Sequence, residues 1–388
     1  MDKLSVGERN DPSPAAILAL ILTEVQQPGR TPFIAEPEIM ARVTLLCRDI
    51  RNRACIRFVM ACSLAKIHHP AVDIRSPYTE IHAPDAYSGR TYDERYLTPF
   101  ILEHKLPCNN TTAFLTPAFR NHNRVLTPDI MMVGRPEVLY KTVLELLTDV
   151  QDNRVSAQAV LAESIRLLII IRDEQQQRLQ MLLANLSTNQ DLTQLSAAAI
   201  VTLISQHLSA RRSSRLPVLV VAAAYYTAAN ALGISVMPLE HHNAADEQTE
   251  ALGDLEIVTS GENPISAVFE MKTRRITLQD LDQAVQKLRG AAQPVDQYIF
   301  ITTEEVSEAV SEYAADLYNR TDSVEFAIFD CLSFLRHYLH LFHQLRGAYL
   351  EMYQSLVLAE PDSAVNQPLK EAFLALRQAA ESDPNNET

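Results

Sequence analysis

The sequence predicts a mixed α/β fold that is rich in helix, and three observations carry that reading. Apolar residues recur at helical spacing along much of the first 210 residues and again after residue 304. Between 216 and 303 the texture changes to short apolar runs separated by turn residues, the pattern of strands. In that block the predicted elements follow the order α-β-β-β-α-β.

Residues 1–13 lack periodicity and read as a disordered tail. Helices are expected over 14–26, 36–68, 139–150, 157–187 and 191–210. Residues 70–135 hold many of the prolines and several tyrosines, with TP, SG and NN turn signals, and predict an irregular, loop-rich segment. Long irregular segments inside compact proteins tend to carry function. A helix over 216–232 has Pro217 near its first turn and Gly233 just past its end. Strands follow at 234–239, 253–259 and 265–272. The next helix, 277–291, starts at Thr277 and carries Asp280 in its first turn. A strand at 296–302 closes the block, and helices are expected over 306–320, 328–357 and 366–381 before an acidic tail. The organisation is a helical and loop-rich region over 1–150, helices leading into an α/β core over 151–305 (the core itself about 216–303), and a helical region over 306–388.

The chain has 388 residues, 47% apolar and 21% charged, which is ordinary globular usage. Its 34 Lys and Arg against 48 Asp and Glu give a net charge of −14. That balance argues against a non-specific nucleic-acid coat protein, but it allows a site-specific DNA enzyme with a local basic cleft. Five cysteines without a CxxC pair predict reduced thiols, no structural zinc and a cytoplasmic protein. No signal peptide is expected, because no apolar stretch directly follows the N-terminal charges. Leu216 to Leu239 is free of charge and long enough to span a bilayer. Asn230, Gly233 and Pro238 instead predict a buried helix followed by a buried strand.

The chemistry concentrates in Gly253-Asp254-Leu255-Glu256-Ile257-Val258 and Phe269-Glu270-Met271-Lys272. Each acidic group lies in a short apolar run, and the turn-rich 259–264 joins the two runs into a hairpin. Glu270 and Lys272 are two apart, so they share a face of their strand. Buried charges brought together need a reason, and a divalent cation supplies one. Asp254, Glu270 and the Met271 carbonyl are the expected ligands of Mg²⁺, which prefers oxygen donors. Lys272 is then expected to orient or activate an attacking water at a phosphodiester.

The same residues resemble the signature of the PD-(D/E)XK nuclease superfamily, with Gly-Asp in place of Pro-Asp and with the Glu-x-Lys element complete. The element order also matches that superfamily's core. The resemblance implies that a polar residue of the following helix, here Gln283, supports the site, unless Gln283 simply faces solvent. It also implies that Glu240, ahead of His241 and His242, adds a ligand, although a polar loop explains these three as well.

Residues 40–75 carry seven Lys and Arg against two Asp. Arg51 and Arg53 are taken from this run as phosphate contacts, with a solvated, internally paired face as the alternative. Arg211, Arg212 and Arg215 form a second basic run. Residues 87–124 mix Arg, Asn, His, Thr and Tyr, the side chains that read base edges and hold phosphates. Arg90, Arg120, Asn121, His122, Asn123 and Arg124 are the expected DNA contacts there. His337, His340 and His343 drift around a helix and do not converge as a zinc site.

Tyr87-Ser-Gly-Arg-Thr-Tyr-Asp93, Leu106-Pro-Cys-Asn and Thr116-Pro-Ala-Phe-Arg-Asn121 resemble the N-terminal half of SacI-family type II restriction endonucleases. That resemblance implies a homodimeric, Mg²⁺-dependent enzyme cutting double-stranded DNA at a short palindrome. The alternative is a non-catalytic or partner-dependent DNA-binding or defence protein built on the same core.

Overall fold

A computed structural model describes residues 12–27, 32–50, 52–109, 111–120, 122–188, 195–239, 251–259, 265–291, 294–321 and 323–382. The chain divides into two compact units, residues 1–177 and 178–388.

The first unit is helical. Its helices are α1 (Pro14–Val25), α2 (Pro37–Arg48), α3 (Ala54–His68), α6 (Glu137–Gln151) and the first part of α7 (Ala157–Thr188). The expected single helix over 36–68 is two helices. Asp49 adopts an extended conformation after α2, and the Asn52 side chain accepts the amide hydrogen of Ala54 at 3.1 Å to start α3. Both are residues whose short polar side chains compete with helix backbone. Every residue of α3 from Ala54 to Ala65 is buried, as befits a helix packed on all sides.

The irregular segment wraps this helix. It contains α4 (Gly89–Tyr92), which runs through a π-helical turn at Asp93–Leu97 into α5 (Thr98–Glu103). Gly89 is required there, because a Cβ would lie 2.5 Å from the Phe114 ring and 2.9 Å from Pro77. The segment is held by a fully buried ion pair. Arg57 of α3 donates to Asp93 at 2.6 Å, to Thr98 Oγ1 at 2.6 Å and to the Asn109 carbonyl. Asp93 also accepts from Thr112 Oγ1 and the Ala113 amide. Burial pushes the Asp93 carboxyl up, and the Arg57 charge opposes that shift. Phe58 stacks on Phe119 with centroids 4.0 Å apart, so an apolar contact reinforces the polar one.

The second unit is a sheet between two helical layers. The strands are β1 (Ile234–Val236), β2 (Leu255–Thr259), β3 (Ile265–Lys272), β4 (Val295–Thr302) and β5 (Glu325–Asp330), in spatial order 1-2-3-4-5. β1, β2 and β3 pair antiparallel, whereas β4 and β5 continue in parallel. One layer holds α8 (Ala197–Leu208), α9 (Leu216–Leu232), α12 (Cys331–Leu341), α13 (Arg346–Ala359) and α14 (Gln367–Glu381). It packs on Leu255, Ile257, Ala267, Phe269, Met271, Ile299 and Ile301. The other holds α10 (Leu278–Arg289) and α11 (Glu308–Asp316), packed on Val268, Tyr298, Phe300 and Phe326. Strand alternation therefore sends Ala267, Phe269 and Met271 to one layer and Val268, Glu270 and Lys272 to the other.

The helix expected at 216–232 ends on Gly233 in the left-handed region. Its residues from Leu216 to Ala224 are buried against the sheet and the C-terminal helices. Among the described residues no helix is long and apolar enough to cross a membrane. β5 departs from the sequence expectation of helix from 328. Its short alternating run, EFAIFD, finds its partner only by pairing with β4, and Asp330 then accepts the Ser333 amide at 2.7 Å to start α12. All five cysteines are free.

Two predictions arise here. Arg57→Met leaves Asp93 buried without its cation and should cost about 3–5 kcal/mol in urea unfolding. The double variant Arg57→Met, Asp93→Asn should recover part of that loss; a purely additive double variant would contradict the pairing. In the second unit, His207 is buried between Tyr353 Oη and the Leu369 carbonyl, both at 3.0 Å, and burial lowers its pKa from 6.5 to about 4. The unfolded chain takes up a proton below pH 6.5 that the folded chain refuses until about pH 4. Stability should therefore fall by about 3 kcal/mol as pH drops through that window. A His207→Gln variant should be weaker at pH 7 yet lose less on acidification, read as urea midpoints at pH 7 and 4.

Candidate active site

Asp254 stands at the entry to β2. Its amide donates to the Phe269 carbonyl at 2.8 Å, and its Oδ2 accepts the Met271 amide at 2.8 Å. The side chain thus extends the ladder beyond the Leu255–Phe269 pair and fixes the carboxylate over β3. Gly253 permits this approach. A Cβ there would lie 2.6 Å from both the Phe269 carbonyl oxygen and Val268 Cγ1, so any side chain, proline included, would force the strands apart.

Glu270 and Lys272 lie on the same face of β3, as their spacing requires, and Lys272 Nζ donates to Glu270 Oε1 at 2.6 Å. Two further groups converge on Glu270. Lys287 of α10 reaches Oε2 at 3.4 Å, and the Tyr298 hydroxyl of β4 lies 3.3 Å from the same oxygen and 3.0 Å from the Leu252 carbonyl. Burial raises the Asp254 pKa, and the nearby Glu270 charge raises it further; the Met271 amide, Lys272 and Arg215 oppose the shift. Two carboxylates and two ammonium groups therefore share one side of the sheet.

Lys287 and Tyr298 are not among the residues that the sequence singles out. Lys287 lies one helical turn beyond Gln283, so the expected helix does reach the site, but Gln283 itself is exposed. Only the packing angle of α10 on β3 decides which residue of that stripe meets the strand. Tyr298 carries a faint signal as the one polar ring in an apolar strand. Asp280, which caps α10, is held well below the ordinary carboxylate range by Arg274, so it belongs to the helix start. Glu240, His241 and His242 lie outside the described residues.

Much of the basic excess of 40–75 is spent on internal partners. Arg42 pairs with Glu145 and Asp149, Arg48 with Glu174, Arg57 with Asp93 and Arg75 with Asp73, while Lys66 donates to the Pro70 and Val72 carbonyls. Arg53 is half-buried and precedes α3; Arg51 lies outside the described residues. In the loop-rich segment Arg120, Asn123 and Arg124 are exposed. Arg90 is exposed and paired with Glu94 at 2.7 Å. His122 donates to the Ala118 carbonyl at 2.8 Å and packs against Tyr78, and Asn121 lies outside the described residues. Arg215 is buried against Glu360 at 2.8 Å. Arg211 and Arg212 are exposed. His337, His340 and His343 are exposed and dispersed, and among the described residues no three His, Cys, Asp or Glu gather into a group that could hold a metal.

Residues 192–304 match the SacI restriction endonuclease C-terminal domain. Over this segment the chain is similar to the SacI restriction endonuclease family. The match runs from just before α8 to just after β4 and contains Asp254, Glu270, Lys272, Lys287 and Tyr298. No curated protein matches the chain. The SacI-type domain and the sheet are thus largely one object. β5 and the C-terminal helices, which complete its two helical layers, lie beyond the matched segment.

Because burial and Glu270 both disfavour the Asp254 anion, Asp254→Asn should raise the melting temperature at neutral pH. The amide oxygen still accepts from Met271, so the ladder survives. The gain should vanish as pH falls to the ordinary carboxylate value of about 3.9, where the unfolded chain also protonates. Melting curves of both proteins from pH 4 to 8 check this, and an unchanged or lowered midpoint at pH 7 would contradict these electrostatics.

Proposed function

We propose that the chain is a site-specific type II restriction endonuclease with a PD-(D/E)XK-type core, hydrolysing phosphodiester bonds in double-stranded DNA with Mg²⁺. The observation that carries the reading is the meeting of Asp254 with Glu270 and Lys272 across β2 and β3, inside a SacI-type domain. The donor set fits the cation. Asp254 and Glu270 offer hard carboxylate oxygens, and a divalent cation would relieve the Asp254 anion, which burial and the Glu270 charge disfavour. Asp254, Glu270 and the Met271 carbonyl would hold Mg²⁺, which supplies charge neutralisation at the phosphate and a more acidic water.

The remaining steps belong to the protein. Lys272, pinned on Glu270, offers a positioned ammonium that orients the attacking water and offsets charge on the phosphate. The water's oxygen forms the new bond to phosphorus as the bond to the 3′ oxygen breaks, leaving 5′-phosphate and 3′-hydroxyl ends. Tyr298, buried beneath Glu270, keeps that carboxylate from rotating. Base reading is assigned to the exposed donors of the irregular segment, Arg90, Arg120, Asn123 and Arg124, with Asn121 and His122 beside them. Arg51 and Arg53 are assigned to phosphates. A palindromic site is read most simply by a two-fold homodimer in the cytoplasm, each subunit cutting one strand.

Incubation of the purified protein with plasmid DNA and Mg²⁺, followed by sequencing of the ends, should give discrete fragments with one common terminal sequence. Asp254→Ala, Glu270→Ala and Lys272→Ala should each lower the cleavage rate by at least about 100-fold while duplex binding persists. Near wild-type cutting by Lys272→Ala would remove this hairpin from the reaction.

A further inference from the structure

The bend ahead of β2 is held at both ends of one residue. The Leu252 amide donates to Glu256 Oε1 at 2.7 Å, and the Leu252 carbonyl accepts from the Tyr298 hydroxyl at 3.0 Å. Leu252 is half-buried and packs on the layer that contains Tyr298, so its amide would be costly to leave without an acceptor. Glu256 lies opposite Val268 in the β2–β3 register, which puts it on the face that carries Glu270. The reaction described above does not use this carboxylate. Its Oε1 is committed to Leu252, and among the described residues no three His, Cys, Asp or Glu gather into a set that could hold a metal. Glu256 is therefore placed to hold the chain, not a cation. What it holds is the bend that delivers Asp254, which follows Leu252 and Gly253 directly. Asp254 spends Oδ2 on the Met271 amide, which makes Oδ1 the better placed oxygen for a cation. The aim of Oδ1 then depends on where the bend leaves the Asp254 backbone. The Tyr298 hydroxyl also lies 3.3 Å from Glu270 Oε2, so one path of polar contacts runs from Glu256 through Leu252 and Tyr298 to Glu270.

We propose that Glu256 is a positioning residue for the metal site: through the Leu252 amide it fixes the bend that aims Asp254, and it acts as a hydrogen-bond acceptor rather than as a charge or a ligand. The inference rests on the nuclease reading of Asp254 and Glu270. A group that orients a metal ligand changes metal affinity without touching the metal, by about 10–100-fold in other proteins.

Calcium ion alone, titrated by calorimetry into the protein without DNA, is the test. Glu256→Ala should bind calcium about tenfold more weakly than wild type. Glu256→Gln keeps an acceptor oxygen and loses the charge, so it should stay within about twofold of wild type. In cleavage assays Glu256→Ala should need about tenfold more Mg²⁺ for its half-maximal rate, with KM for DNA unchanged. Should thermal melts show Glu256→Ala unfolded, Glu256→Met replaces it, and the Glu256→Gln titration decides on its own between acceptor and charge. A loss in Glu256→Gln as large as that in Glu256→Ala would make Glu256 a ligand or a charge and overturn the proposal. Unchanged calcium affinity in Glu256→Ala, with binding abolished by Asp254→Asn, would overturn it and leave the metal site standing. Calcium binding indifferent to Asp254→Asn would overturn the nuclease reading as well.

Discussion

The contact between Asp254 Oδ2 and the Met271 amide is the hinge of the second unit. An aspartate at the mouth of a strand is ordinarily a solvated cap. Here its carboxylate takes the place of a main-chain acceptor, so the acid cannot turn away from the sheet. The consequence is electrostatic. Two carboxylates are held near one another in a partly buried setting, and the fold answers with two lysines and a tyrosine. Gly253 is the steric condition for this arrangement, since no other residue lets the chain come within contact of the Phe269 carbonyl.

The layers around the sheet explain why the site can sit on its central strand. The face carrying Phe269 and Met271 is buried under α9 and its neighbours, so β3 is anchored by apolar area alone on that side. The opposite face has to accommodate Glu270 and Lys272 beside Val268, and α10 does so with Lys287 along the same stripe. β4 and β5, parallel to β3, extend the sheet so that β3 is flanked on both sides. Polar groups at the end of an otherwise apolar strand are costly on their own, and their partners come from three separate elements.

In the first unit one buried ion pair performs a comparable service. Arg57 and Asp93 tie a helix interior to a segment with little regular structure, and the π-helical turn at 93–97 lies where that aspartate is drawn inward. The exposed Arg120, Asn123 and Arg124 thus belong to a segment with a buried anchor. The arginines that looked like a phosphate-facing row are mostly the cations of such internal pairs.

Periodicity and end signals made most elements legible: α9 with its Pro217 start and Gly233 stop, β3 to the residue, and α10 from its Thr277–Asp280 cap. Local chemistry dictates these, because a cap or a strand alternation is satisfied within a few residues. The spacing of Glu270 and Lys272 likewise puts them on one face of a strand, whatever packs around it. The break between α2 and α3 was written in Asp49 and Asn52 and masked by the apolar periodicity on either side. β5, Lys287 and Tyr298 were decided by tertiary structure alone. A short alternating run becomes a strand only when a neighbour offers its ladder, and a lysine on an amphipathic helix meets a carboxylate only when the helix docks at one particular rotation. The fate of the basic residues in 40–75 was settled in the same way, since their partners at Asp93, Glu145, Asp149 and Glu174 are distant in sequence and meet them only through packing.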